Sequence, residues 1–162
     1  MISASVAVLL IVTLQRLVEL WVSNINTGRL VARGAHEVGR RHYPMIVGLH
    51  VAWLAALWWW APERDIHSPL LLAFALLQLG RLWVIATLGS RWTTRIIVVP
   101  GAPLVHTGPY RYVRHPNYMI VIAEIALLPL VFGLWPIALL FTALNAAVLI
   151  VRIREEDEAL RG

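Results

Sequence analysis

The sequence predicts an all-α integral membrane protein with about five transmembrane helical segments, the last two folded as a helical hairpin. Three observations carry this. The 162 residues are 59% hydrophobic and 14% charged, and the mean hydropathy of +0.71 lies far above that of a water-soluble domain. Apolar runs of about twenty residues recur along the chain, the length that crosses a bilayer. The charges gather between these runs as arginines.

The first segment runs from Met1 to Trp21, with Arg16 and Glu19 near its end. A secretory signal would carry its positive charge before the apolar stretch, so this segment is expected to be retained. Tyr43 to Ala61, with His50 inside it and the Trp58-Trp59-Trp60 cluster at its end, makes the second. Ser68 to Ser90 makes the third and contains Arg81. Tyr118 to Val151 holds a single charge, Glu124. As one helix it would extend roughly 51 Å, too long for a hydrocarbon core of about 30 Å. Pro129, Gly133 and Pro136 therefore set a hairpin turn around Phe132–Pro136.

The connection Ser23–His42 holds Arg29, Arg33, Arg40 and Arg41 against Glu37, and the one after the third segment holds Arg91, Arg95, Arg111 and Arg114 without an acid. Short arginine-rich loops resist translocation, which predicts a cytoplasmic side for both and for the C-terminus, with the N-terminus outside, in a bacterial-type inner membrane. All 14 basic residues are arginine and the net charge is +5, a balance that suits anionic membrane lipid rather than nucleic acid. The absence of cysteine removes disulfides, thiol nucleophiles and Cys-ligated metal, and no metal site is expected. No linker divides the chain, so residues 1–162 read as one membrane-embedded domain.

The polar residues able to do chemistry collect at the cytoplasmic face. His106 to Tyr118 packs two arginines, two histidines and three tyrosines into thirteen residues, and four acids, Glu155-Glu156-Asp157-Glu158, end the last helix beside Arg152 and Arg154. Arg152 and Glu156, four apart, share one side of a helix. The arginine loop and the acidic tail are expected to meet. Taken alone, these features also fit interfacial anchoring and a solvated helix end, with Pro116 starting a helix and His115 near its cap. Within the membrane, Arg16 with Glu19 reads as a local ion pair that snorkels to the interface, and Arg81 with Glu124 as a pairing between segments.

The pattern Gly108-x-Tyr110 and Arg114-His115-Pro116-x-Tyr118, followed after a hairpin by Arg152-Ile153-x-x-Glu156, resembles the isoprenylcysteine carboxyl methyltransferase family. These motifs are shared in varied form with phospholipid N-methyltransferases and some membrane reductases. Gly34-Ala35-His36-Glu37, His42-Tyr43-Pro44 and Arg91-Trp92-Thr93-Thr94-Arg95 are similar to a small bacterial branch associated with O-methylation of phenolic lipids such as alkylpyrones and alkylresorcinols. Asp157 stands where eukaryotic members generally carry a second Glu.

The resemblance implies S-adenosyl-L-methionine as cofactor, enclosed within about residues 90–162 by His106, Gly108, Tyr110, Arg114, His115, Pro116, Tyr118, Arg152, Glu155 and Glu156. Arginine and histidine suit a carboxylate, glutamate suits a ribose diol, and Gly108 would admit close backbone approach. Arg95, His42 and Glu37 are the candidates for assisting the acceptor, with His36 nearby. The expected reaction is methyl transfer to a lipophilic molecule that enters laterally from the bilayer, either a phenolic or pyrone lipid or a prenylcysteine-type carboxylate. The alternatives are a membrane reductase using NADPH in a related pocket and a non-enzymatic membrane protein that binds lipid or a partner.

Overall fold

The structure, a computed structural model, describes residues 3–159; Met1, at the start of the first predicted segment, and Leu160, at the end of the tail, lie outside the described residues. Five helices, α1 (Ala4–Val31), α2 (Tyr43–Trp60), α3 (Ser68–Leu88), α4 (Pro116–Val131) and α5 (Trp135–Ala159), account for most of the chain. Those rooted in Ala4–Val31, Ser68–Arg91 and Trp135–Ala159 are long and apolar enough to cross a membrane. At 18 and 16 residues, α2 and α4 are shorter. The protein is an all-α membrane protein with one small addition: β1 (His36–Val38) pairs antiparallel with β2 (Ile96–Val98), in the register Glu37 opposite Ile97. No strand was expected there.

The expected turn forms at Phe132–Leu134, where Gly133 takes φ +69° and the Leu134 N–H bonds the Pro129 carbonyl. Pro129 stays inside α4, and Pro136 sits in the first turn of α5, where its missing N–H costs nothing.

The first connection begins later than the sequence suggests. Ser23 to Val31 is helical, although Asn24, Asn26, Thr27 and Gly28 favour helix weakly. Tertiary bonds override that preference: the Asn26 side-chain amide donates to the Trp92 carbonyl at 2.8 Å, and the Ser23 hydroxyl lies 2.8 Å from that of Thr94. At about 1.5 Å per residue, the 28 residues of α1 reach about 42 Å, so its last turns stand beyond a 30 Å hydrocarbon layer.

The core is apolar, built on Leu9, Trp53, Leu57, Ile125, Leu128 and Phe132. In its midst Arg16, Glu19, Arg81 and Glu124 form one closed network. Arg16 reaches Glu19 at 2.9 Å and Glu124 at 2.7 Å, while Arg81 reaches Glu19 at 2.5 Å and Glu124 at 2.8 Å. Gln15 and Gln78 complete it. Two positive and two negative charges cancel, which makes burial tolerable. The predicted local pair and the predicted interhelical pair are thus parts of one whole, and Arg16 does not snorkel, because Glu124 draws its guanidinium inward.

Trp58 packs on the core and donates to Thr13 at 3.0 Å, whereas Trp59 and Trp60 point outward. Near them, Ser3 and Ser5 bond the carbonyls of Pro62 and Arg64. At the opposite end gather the end of α1, the start of α2, the end of α3, the start of α4 and the end of α5, together with the β1–β2 pair. That end holds the site.

Candidate functional site

The α4–α5 hairpin is antiparallel, so residues at the start of α4 face residues at the end of α5. The Tyr118 hydroxyl donates to Glu156 Oε2 and accepts from Arg152 Nε at 3.0 Å. Arg152 Nη2 donates to the Thr94 carbonyl. One turn further out, Asp157 Oδ1 lies 3.3 Å from His115 Nε2 and 3.2 Å from Arg114 Nη2. The arginine loop and the acidic tail therefore meet, and the shortened acid Asp157 is the one that receives both the histidine and the arginine. His115 and Tyr118 stack with ring centroids 5.5 Å apart.

Beside this cluster opens a groove of about 280 Å³. Of the proposed cofactor ligands, His106, Tyr110, Arg114, His115, Tyr118, Arg152 and Glu156 border it, as does Arg95. Its far wall is apolar, with Leu30 of α1, Leu88 of α3, Trp92 and β2. Burial, reinforced by the Glu156 carboxylate, pushes the Tyr110 hydroxyl up to about 12, so at neutral pH it is a donor. Asn117 also borders the groove, and its Oδ1 is buried without a hydrogen-bond partner. Neither Asn117 nor Thr94 was singled out from the sequence; an Asn one residue after Pro116 was the available signal for the former.

The remaining candidates lie elsewhere. Glu155 turns away from Glu156 and lines a small second cavity of about 10 Å³ with Glu37, His42 and Tyr43; Arg152 and Ile96 border both spaces. There His42 Nδ1 sits 2.8 Å from Glu155 Oε1, at ion-pair distance but without hydrogen-bond alignment. Arg95 Nη1 donates to Glu37 Oε1 at 2.7 Å, and its guanidinium lies 4.1 Å from the Tyr43 ring centroid. This pair thus reaches from groove to second cavity. Exposed His36 opens β1.

Gly108 and Pro116 do not border the groove. Gly108 has φ +56° in the turn Gly108–Arg111, and a Cβ there would meet Thr87 Oγ1 at 2.4 Å and Thr87 Cβ at 3.2 Å. The structure thus explains this glycine through backbone conformation and packing on α3. Pro116 is buried as the first residue of α4, where proline is pre-organised for a helix start.

The chain matches the model of the isoprenylcysteine carboxyl methyltransferase (ICMT) family over residues 70–162, more than half its length and including every residue of the groove cluster on α4 and α5. It is similar along its length to the uncharacterized protein YpbQ of Bacillus subtilis (strain 168), 37% identical over 164 residues with 93% of each chain covered. An uncharacterized protein of Haemophilus influenzae (strain ATCC 51907 / DSM 11121 / KW20 / Rd) is 30% identical over 137 residues, covering 81% of this chain and 80% of its own. With its membrane helices and its polar groove formed where α4 and α5 meet, the chain belongs to the isoprenylcysteine carboxyl methyltransferase family, a family of membrane methyltransferases.

Proposed function

We propose that the protein is an S-adenosyl-L-methionine-dependent methyltransferase that acts on the oxygen of a lipophilic acceptor at the cytoplasmic membrane face. The observation that carries this is the Arg152–Tyr118–Glu156 cluster on one wall of the groove. Its donor set fits the cofactor. Arg152, whose own acceptors are neutral, offers a cationic donor for a carboxylate, with Arg114 and His115, both held by Asp157, bordering the same space; Glu156 offers an acceptor for a ribose diol, and the unpartnered Asn117 oxygen suits an amino group. The groove's 280 Å³ falls just under the range of about 300–1,000 Å³ typical of small-molecule sites, room for one such ligand rather than two. The acceptor's chain then remains in the bilayer, and Leu30 and Leu88 form the apolar side over which its head would arrive.

When bound, S-adenosylmethionine supplies an electrophilic methyl group, so that the S–CH₃ bond breaks and an O–CH₃ bond forms in line while the electron pair stays on sulfur. The chain's task is alignment and exclusion of water. Arg95, held by Glu37 and Tyr43, is the one of the three assisting candidates that borders the groove, and it would stabilise a phenolate or carboxylate oxygen. A hydroxyl acceptor also releases a proton; His42 beside Glu155 lies in the adjoining cavity and does not border the groove, so the proton passes to water.

We favour a phenolic or enolic hydroxyl on a long-chain lipid over a prenylcysteine carboxylate, on the resemblance of the N-terminal half to the phenolic-lipid branch. The experiment follows methyl label from S-adenosylmethionine into extractable lipid as pH varies, with alkylresorcinol, alkylpyrone and a farnesylcysteine analogue as acceptors. A hydroxyl acceptor gives a rate that climbs with pH toward a phenol's value near 10, and a carboxylate gives a rate flat above about 6. Turnover of the farnesylcysteine analogue alone would reverse the choice.

A further inference from the structure

Between α3 and β2 the chain crosses the site as an irregular strap, Trp92–Arg95, that belongs to neither helix nor sheet. Its position is set by side chains of the N-terminal helices. The Thr94 N–H donates to Ser23 Oγ at 2.8 Å, the Thr94 hydroxyl lies 2.8 Å from that same Ser23 oxygen, and the Tyr43 hydroxyl lies 3.0 Å from the Thr94 hydroxyl. Ser23 is fully buried. Asn26 holds the strap two residues earlier, at the Trp92 carbonyl. Thr94 thus ties α1 and α2 together, and its remaining polar atom, the carbonyl oxygen, accepts from Arg152 of α5.

That carbonyl has an uncommon duty. Arg152 is buried, and the acceptors of its guanidinium are neutral: the Thr94 carbonyl and the Tyr118 hydroxyl. A buried guanidinium needs its donors satisfied, but a carboxylate placed directly on it would spend the charge that an anionic ligand requires. Two neutral acceptors orient it and leave that charge available. The second of them passes the orientation on, because Tyr118 in turn donates to Glu156.

We propose that Thr94 is a positioning residue, through which Ser23 and Tyr43 of the N-terminal helices fix the Arg152 guanidinium and, by way of Tyr118, the Glu156 carboxylate in ligand-binding geometry. The inference rests on the reading of Arg152 and Glu156 as ligand contacts. It gives α1 and α2 a part in binding that their apolar composition does not suggest.

Thr94→Val keeps shape and carbonyl but removes the hydroxyl from both neighbours, while Thr94→Ser keeps the hydroxyl. The measurements are calorimetric titration with S-adenosylhomocysteine and ¹⁹F spectra of protein grown on 3-fluorotyrosine, whose four tyrosines give four resonances, with the one at 118 assigned by Tyr118→Phe. In Thr94→Val the affinity falls about tenfold and the 118 resonance moves; in Thr94→Ser both return to within about twofold and to the original position. Tyr43→Phe, a milder change that leaves the ring under Arg95, loses about threefold and keeps the test open should the valine variant fail to fold. An unmoved 118 resonance with unchanged affinity in both Thr94→Val and Tyr43→Phe overturns the proposal. Should the parent protein bind no S-adenosylhomocysteine, the cofactor reading fails, while the ¹⁹F resonance still decides whether Thr94 positions Tyr118.

Discussion

Tyr118 and Glu156, 38 residues apart, are joined by a hydrogen bond across the α4–α5 hairpin, the phenol donating to the carboxylate. The bond places an acid and a cation, Arg152, around one hydroxyl at the edge of the groove, so that opposite charges face the same space without neutralising each other directly.

From this relationship we expect Glu156→Ala and His115→Ala each to weaken S-adenosylhomocysteine binding by about ten- to hundredfold, the equivalent of a lost charge-assisted hydrogen bond of about 1.5–3 kcal/mol. Both should remain folded in detergent, since neither belongs to the apolar core. Calorimetry with circular dichroism on the same samples checks this, and unchanged affinity in both variants removes them from the site.

Arg81→Ala should behave in the opposite way. It strips one cation from the buried quartet and leaves Glu19 and Glu124 with Arg16 alone. Breaking such a network costs about 3–5 kcal/mol, or a fall in thermal midpoint of about 6–20 °C for a chain of this size. A midpoint within two degrees of the parent would show that the quartet holds little of the fold.

These two predictions mark what the sequence could and could not tell. The hairpin turn, the five helices and the meeting of arginine loop with acidic tail followed from run lengths, Pro and Gly positions and charge signs. The quartet did not, because Arg16 and Glu124 are 108 residues apart, and an arginine with a glutamate three residues on looks self-sufficient. Glu155 and Glu156 read as one acidic patch, yet successive helical residues point about 100° apart, and they serve different cavities. Thr94 stood in the sequence only as part of the Arg91–Arg95 motif, because it meets Arg152 through a backbone carbonyl, which any residue type carries, and the partners of its hydroxyl, Ser23 and Tyr43, lie 71 and 51 residues away.

Tyr110 offers a titration test. Burial and the nearby Glu156 carboxylate hold its proton to about 12, whereas an unfolded tyrosine loses it near 10. The folded state therefore holds this proton more tightly, and the stability it contributes is complete below pH 10 and is lost as pH rises toward 12. Tyrosinate absorbance should show a step near pH 12, later than that of an ordinary tyrosine, which is absent in Tyr110→Phe.

Orientation can be read with reporter fusions. The arginine-rich loops predict inactive alkaline phosphatase when it is fused after Leu160 or within Arg29–Arg41, and active enzyme when it is fused at Glu63–Asp65, in the short connection between α2 and α3. Periplasmic activity after Leu160 would invert the assignment of the groove to the cytoplasmic face.

Titration of the purified protein with S-adenosylhomocysteine and, separately, with NADPH decides whether the groove takes S-adenosylmethionine. Saturable heat is expected with S-adenosylhomocysteine, weakened in Glu156→Ala, and none with NADPH. Binding of NADPH alone would point to a reductase, and binding of neither by folded protein would contradict the cofactor reading altogether.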